Sequence, residues 1–283
     1  MNVTSVDCRD DDAGRQFAQS LHETGFAVLR NHPVSAAMLD RMREEWRAFF
    51  SDRGRYQFVV DRDYDAGDRA GYFPLDFAET AVGHTAPDLK EFFHVIADFP
   101  IPPACSATTL EYRRLTFNLG SSLCEWLQRH TPADTTALLS EPLPTMLDFD
   151  CSVLRILHYP PMDGSEAPAT MRAAPHEDIN LLTILPAANQ PGLEVQDNAG
   201  NWHAVSCDPG TIIVNSGDML QEATAGYYPS TTHRVVNPGA DIENVSRISM
   251  PFFLTARLGA VLSERYTAGE YLDERLRIIY RGQ

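Results

Sequence analysis

The stretch APHEDINLLTILPA at residues 174–187 places an imidazole and a carboxylate two positions apart, His176 and Asp178, at the head of an apolar run. Side chains alternate faces along a strand, so these two point the same way and can grip one metal ion from adjacent positions. A third ligand has to come from a distant strand. The run STTHRVVNP (230–238) offers His233, 55 positions beyond the aspartate (233 − 178). Two imidazoles and one carboxylate hold a ferrous ion while leaving half of its coordination sphere open, and zinc is the other metal such a set takes. A His-x-acid triplet alone is weak evidence, because 9 histidines and 39 acidic residues in 283 produce one by chance.

The surroundings of the triplet give it a context. From Val153 onward the chain consists of short apolar or alternating runs: SVLRILHYP (152–160), INLLTILPA (179–187), GLEVQ (192–196), NWHAV (201–205), GTIIVN (210–215), THRVVNP (232–238) and SRISMPFFLTA (246–256). Runs of this length divided by Pro-Gly, Asn-Ala-Gly-Asn and Asn-Pro-Gly turns predict an antiparallel sandwich or barrel of the jelly-roll type. Before it, Phe17 and Leu21 mark a helix stopped by Gly25, and residues 26–29 read as a strand. Met38, Leu39, Met42, Trp46 and Phe49/Phe50 form the apolar stripe of a second helix, and Leu115, Leu119, Leu123 and Trp126/Leu127 that of a third over 110–129. A last helix is expected over 271–280. Residues 51–87, rich in Asp, Gly, Arg and Tyr, read as an irregular segment able to cover a pocket.

The expected class is therefore mainly β with helices (α+β), a double-stranded β-helix buttressed at both chain ends. One domain spans 1–283: an annex at 1–105, supporting helices at 106–148, a jelly-roll core at 150–256 and a C-terminal helix at 257–283. A formal charge of −16 argues against nucleic acid or an anionic membrane as partner, since both attract basic surfaces. No apolar segment is long enough to cross a bilayer, and no secretory signal opens the chain. Cys8, Cys105, Cys124, Cys151 and Cys207 are odd in number and scattered, which suits unpaired thiols in a cytoplasmic protein.

Four blocks in order, TGFAVLRNHPVSAAMLDRMREEWRAFF (24–50), HEDINLLTIL (176–185), GDMLQEATAGYYPSTTHRVVNP (217–238) and RISMPFF (247–253), resemble the non-haem iron(II), 2-oxoglutarate-dependent oxygenases, in the branch related to isopenicillin N synthase and the plant flavonoid and gibberellin oxygenases. The likeness covers residues 20–50 and 150–256. It implies that His176, Asp178 and His233 bind Fe(II) as a facial triad and serve as the catalytic centre. A carboxylate at 178, rather than Ala or Gly, speaks against halogenation. The resemblance further implies 2-oxoglutarate and O2 as cosubstrates, succinate and CO2 as co-products, and hydroxylation, desaturation or ring closure of a small molecule.

2-Oxoglutarate is a dianion in an acidic protein, so it needs a local cationic pocket with a guanidinium for its far carboxylate. The family's Arg-x-Ser block falls on Arg247 and Ser249, and its tyrosine before proline on Tyr159 in RILHYPP (155–161). Leu157 stands where the plant enzymes often carry an asparagine. For the substrate, the candidates are Phe253 on the same face as Arg247, Tyr72 and Phe73 closing over the site, and Arg172 receiving a carboxylate. His94, His158 and His203 have no ligand spacing and read as packing residues. Two other functions stay open: an isopenicillin N synthase-like oxidase that ignores 2-oxoglutarate, and a non-catalytic metal-binding barrel that senses a ligand. A monomer or weak homodimer is expected.

Overall fold

The structure, a computed structural model, describes residues 1, 3–60, 70–75, 88–97, 99–164, 166, 170–206, 208–239 and 241–281. Most of the segment expected to cover a pocket (61–69 and 76–87) and Cys207 lie outside the described residues. In chain order the elements begin with β1 (Ser5–Asp7), α1 (Ala13–Thr24), β2 (Phe26–Arg30), α2 (Ala36–Ser51), a 3₁₀ turn (Arg53–Phe58), β3 (Gly71–Phe73) and β4 (Glu91–Val95). The middle of the chain forms α3 (Pro103–His130), α4 (Ala133–Thr136), α5 (Leu143–Met146), β5 (Val153–Tyr159), β6 (Ala173–His176), β7 (Leu182–Pro186) and β8 (Leu193–Gln196). It ends with β9 (Trp202–Ala204), β10 (Ile212–Ser216), α6 (Asp218–Ala223), β11 (His233–Val235), β12 (Arg247–Ser249), β13 (Phe252–Leu254) and α7 (Ala268–Arg281).

The strands make two facing sheets, the double-stranded β-helix expected from the sequence. The larger runs β1-β2-β10-β7-β13-β5-β4-β3, with β12 also on β5, and the smaller runs β6-β11-β8-β9. Residues of the expected annex are part of the larger sheet: β2 pairs with β10 at one end, and β4 pairs with β5 towards the other. The block 246–256, read as one strand, is two. Pro251 offers no N–H to the ladder, yet β12 and β13 keep one register along β5, with Arg247 opposite Tyr159 and Phe253 opposite Val153.

Alternation along each strand sorts residues between two cores. On the outer face, Phe252, Ile184 and Leu254 meet the helices. There Gly120 of α3 is required for close approach, because a Cβ would stand 2.8 Å from a Leu254 methyl and 3.0 Å from an Ile184 methyl. On the inner face, Phe26, Val28 and Ile213 of the larger sheet pack against Ala173, Leu193, Val195 and Val235 of the smaller one. Each Val, Leu, Ile or Phe side chain so buried stabilises the fold by about 1.5–3 kcal/mol. Local signals set the connections: Ser35 caps α2 by accepting from the Met38 N–H, and Gly25, at φ 72°, ends α1 by donating to the Leu21 carbonyl. Helix α3 starts at Pro103, seven residues before the expected boundary (110 − 103), and carries proline in its first turn, where no N–H is needed.

Candidate metal centre

His176 is the last residue of β6 and lies directly opposite His233 of β11, with ring centroids 4.4 Å apart. Asp178 departs from the expected alternation, because it lies beyond the end of β6, in a non-strand segment. Backbone contacts hold that segment: the Asp218 N–H donates to the Asp178 carbonyl at 2.7 Å, and the Gly217 N–H to the Leu181 carbonyl at 3.0 Å. Glycine at 217 permits this, since a Cβ there would fall 2.2 Å from the Asn180 carbonyl oxygen and 2.8 Å from that of Asp178. The result brings His176 Nε2 to 3.9 Å from Asp178 Oδ1 and His233 Nε2 to 3.8 Å from Asp178 Oδ2.

The hydrogen bonds determine which ring nitrogen faces the centre. His176 Nδ1 lies 2.8 Å from the Ala174 carbonyl and His233 Nδ1 lies 3.1 Å from the Thr231 carbonyl. A carbonyl only accepts, so each Nδ1 carries a proton and each Nε2 is the ring atom turned towards the carboxylate, free to become the metal-binding atom. The Asp178 carboxylate is anchored by Thr183 Oγ1 at 2.5 Å and Asn215 Nδ2 at 2.8 Å, both donating to Oδ2. Burial alone would raise its pKa, but the facing His233 and His176 rings and these two donors outweigh burial and keep it below the usual carboxylate range. Desolvation, with His233 alongside, pushes His176 down to about 4. Two imidazole Nε2 atoms and one carboxylate are a donor set suited to a divalent ion. Among the described residues this is the one group of three or more His, Cys, Asp or Glu side chains so arranged.

Thr183 and Asn215 were not singled out from the sequence. The available signal was one polar residue within each of two short apolar runs, Thr183 in LLTIL (181–185) and Asn215 in IIVN (212–215), paired across β7 and β10. The same inner row continues to Phe253, whose β13 position is opposite Thr183. Phe253 therefore faces the centre's side of the sheet, with the Arg155 guanidinium 5.5 Å from its ring.

Further along that face, Arg247, Ser249 and Tyr159 are all buried. Arg247 Cζ stands 5.2 Å from the Tyr159 ring, and its Nε donates to the Gln190 carbonyl at 3.4 Å. Phe73 packs inward with Phe92, Leu157 and Tyr159. Tyr72 does not join it, because alternation on β3 turns its ring into the outer core against Phe49 and Phe50, where its hydroxyl donates to Glu91. Arg172 is fully buried beside Tyr159 and Arg247 instead of standing at an open mouth. Three of the histidines outside the triad, those read above as packing residues, are engaged elsewhere: His94 with Arg155 at 2.6 Å, His158 with Glu91 at 2.7 Å and His203 with Asp197 at 2.7 Å.

Comparison with known proteins agrees with this geometry. Residues 150–256 match the model of the 2OG-Fe(II) oxygenase superfamily, and residues 3–115 match that of the N-terminal region of non-haem dioxygenases described from morphine synthesis. A crystal structure of a putative oxygenase from Shewanella oneidensis is 45% identical, covers 98% of both chains and superposes with a TM-score of 0.87. A putative 2OG-Fe(II) oxygenase family protein from Caulobacter crescentus is 29% identical over 97% of this chain and 98% of its own, with a TM-score of 0.78. Among characterised relatives, the 2-oxoglutarate-dependent dioxygenase citB of Monascus ruber is 27% identical over 94% of this chain and 86% of its own. These relatives support an enzyme that uses 2-oxoglutarate, and not the oxidase that dispenses with it. No helix among the described residues is long and apolar enough to cross a membrane. The chain belongs to the non-haem iron(II), 2-oxoglutarate-dependent oxygenases.

Proposed function

We propose that the protein oxidises a small molecule, such as an amino acid or a natural-product intermediate, by hydroxylation, desaturation or ring closure at the centre built by His176, Asp178 and His233. The observation that carries this reading is the pair of Nε2 atoms facing a doubly anchored carboxylate. Iron(II), 2-oxoglutarate and O2 supply the oxidising power there, with succinate and CO2 as co-products. The remaining work belongs to the chain. Arg247 and Ser249 hold the far carboxylate of 2-oxoglutarate, and Tyr159 packs its ring against Arg247. Phe253, Phe73 and Phe92 line the inner face with apolar surface, which excludes water and favours a substrate with a hydrocarbon or aromatic body.

The unpaired thiols of Cys8, Cys105, Cys124 and Cys151 suit a reducing cytoplasm, and a monomer or weak homodimer suffices because one chain supplies all three ligands. The test has two parts. Anaerobic addition of iron(II) and then 2-oxoglutarate is expected to produce a visible metal-to-ligand charge-transfer band, which requires both bound together. A screen of amino acids and pathway intermediates for stimulated succinate release then names the substrate. Absence of the band at saturating iron and 2-oxoglutarate would remove the reading.

A further inference from the structure

Arg172 precedes β6, four residues before the first metal ligand, and its side chain is wholly inaccessible to solvent. Its backbone is tied down by its N–H donating to Asn237 Oδ1 at 3.0 Å. Its guanidinium donates from Nη1 to Gln190 Oε1 at 3.2 Å and from Nη2 to the Val245 carbonyl at 3.3 Å. Both acceptors are neutral. Nε, equally buried, has no hydrogen-bond partner, and no carboxylate among the described residues lies within ion-pair distance of this arginine. A guanidinium stays protonated, so this is a buried positive charge without a counter-charge in the chain described.

A second guanidinium lies close by. Arg172 Cζ is 5.9 Å from the Tyr159 ring, and Arg247 Cζ is 5.2 Å from the same ring. Gln190 joins the two: its side-chain oxygen accepts from Arg172 while its backbone oxygen accepts from Arg247. Its amide is locked in turn by donating to the Glu243 carbonyl at 2.6 Å. Two like charges held rigidly about one aromatic ring repel one another. Such an arrangement persists where an anion completes it, and a fixed pair of guanidiniums is the donor geometry for a carboxylate.

We propose that Arg172 is a second guanidinium of the cosubstrate pocket, reading the far carboxylate of 2-oxoglutarate together with Arg247, with Gln190 setting the spacing between them. The assignment moves Arg172 from the substrate to the cosubstrate. It rests on the reading of Arg247 given above, so the experiment separates the two. 2-Oxoglutarate is titrated calorimetrically into the iron(II)-loaded protein without O2, for the wild type, Arg172→Gln and Arg247→Gln. Arg172→Gln is expected to raise Kd at least tenfold while the metal affinity stays at the wild-type value. Arg247→Gln weakened with Arg172→Gln unchanged would overturn the role of Arg172 alone. Both unchanged would overturn the pocket itself. A purely structural arginine would lower the melting temperature of the variant and leave its Kd for 2-oxoglutarate alone, which also counts against the proposal. Should Arg172→Gln fail to fold, a crystal structure of the wild type with manganese and 2-oxoglutarate decides. The Arg172 guanidinium is expected within hydrogen-bond distance of the far carboxylate or of one water bridging to it, and a carboxylate held by Arg247 with Arg172 beyond that reach overturns it.

Discussion

Asn215→Leu tests whether the carboxylate of the triad depends on its outer donors. Asp178 Oδ2 accepts two hydrogen bonds, from Asn215 at 2.8 Å and Thr183 at 2.5 Å, and all three groups are buried. Leucine keeps much of the volume and removes the donor. A hydrogen bond to a charged group is worth about 1.5–3 kcal/mol, and about 1.4 kcal/mol is a factor of ten in affinity. Loss of partners that orient metal ligands weakens binding by about 10–100-fold. Because Thr183 still holds the same oxygen, the lower end is expected, with Kd for a divalent ion rising about tenfold. The assay is calorimetric titration of metal-free protein with manganese(II), which avoids oxidation during the measurement. Thr183→Val is expected to act alike, and the double variant to lose more than the sum of the two, since Oδ2 then has no donor from either residue. A Kd for Asn215→Leu within about twofold of the wild type, in a protein of unchanged circular dichroism, would refute the claim that these donors orient the ligand.

Other outcomes follow from the same geometry. His176→Ala and Asp178→Ala are each expected to abolish substrate-dependent succinate release while the far-ultraviolet circular dichroism stays unchanged, because the sheets close around apolar cores and not around the ion; unfolding of either variant would mark the site as structural. Arg247→Leu is expected to raise the 2-oxoglutarate concentration needed for half-maximal turnover far more than that of the substrate, and equal effects on both would count against its assignment. Gly217→Ala places a methyl within 2.2 Å of a backbone carbonyl that holds the 178–180 segment. It is expected to destabilise the protein by about 1–3 kcal/mol in thermal melts and to weaken metal binding, and a melting temperature equal to the wild type would contradict that. The pH response has a definite sign: His176 has a folded pKa near 4 against an ordinary 6.5, so between those values the unfolded chain takes up a proton that the folded one refuses. Its contribution to the stability of the metal-free protein is complete above pH 6.5 and is lost as pH falls towards 4, with Asp178 acting in the same direction at lower pH. Melting temperatures of wild type and His176→Gln at pH 7.5 and 5 check this, and equal losses in the two proteins would refute it.

The sequence made the triad legible because its chemistry is local: His176 and Asp178 are two residues apart, and His233 sits in a block with few other metal-binding groups. Alternation on a strand does not place Asp178, which lies past the strand and is held by a backbone contact that only Gly217 allows. A close approach between residues 178 and 217 leaves no periodic trace. Periodicity read the helices and the short runs well because each buries one stripe or face. It did not show which strands are neighbours, so residues 1–105 read as an annex although β2 and β4 are integral to the larger sheet. The same limit applies to Tyr72 and Phe73. They are adjacent in sequence and so lie on opposite faces, and only the pairing of β3 with β4 reveals that Phe73 is the one inside. Arg172 was visible as a charge near the ligands, while its burial against Tyr159 and Gln190 depends on segments far apart in the chain.

Anomalous diffraction at the iron absorption edge, from crystals of the protein loaded with iron(II) without O2, tests the central claim most directly. A single strong peak is expected within bonding distance of His176 Nε2, His233 Nε2 and a carboxylate oxygen of Asp178. A peak elsewhere, or none at these three atoms in crystals shown to contain iron, would contradict it.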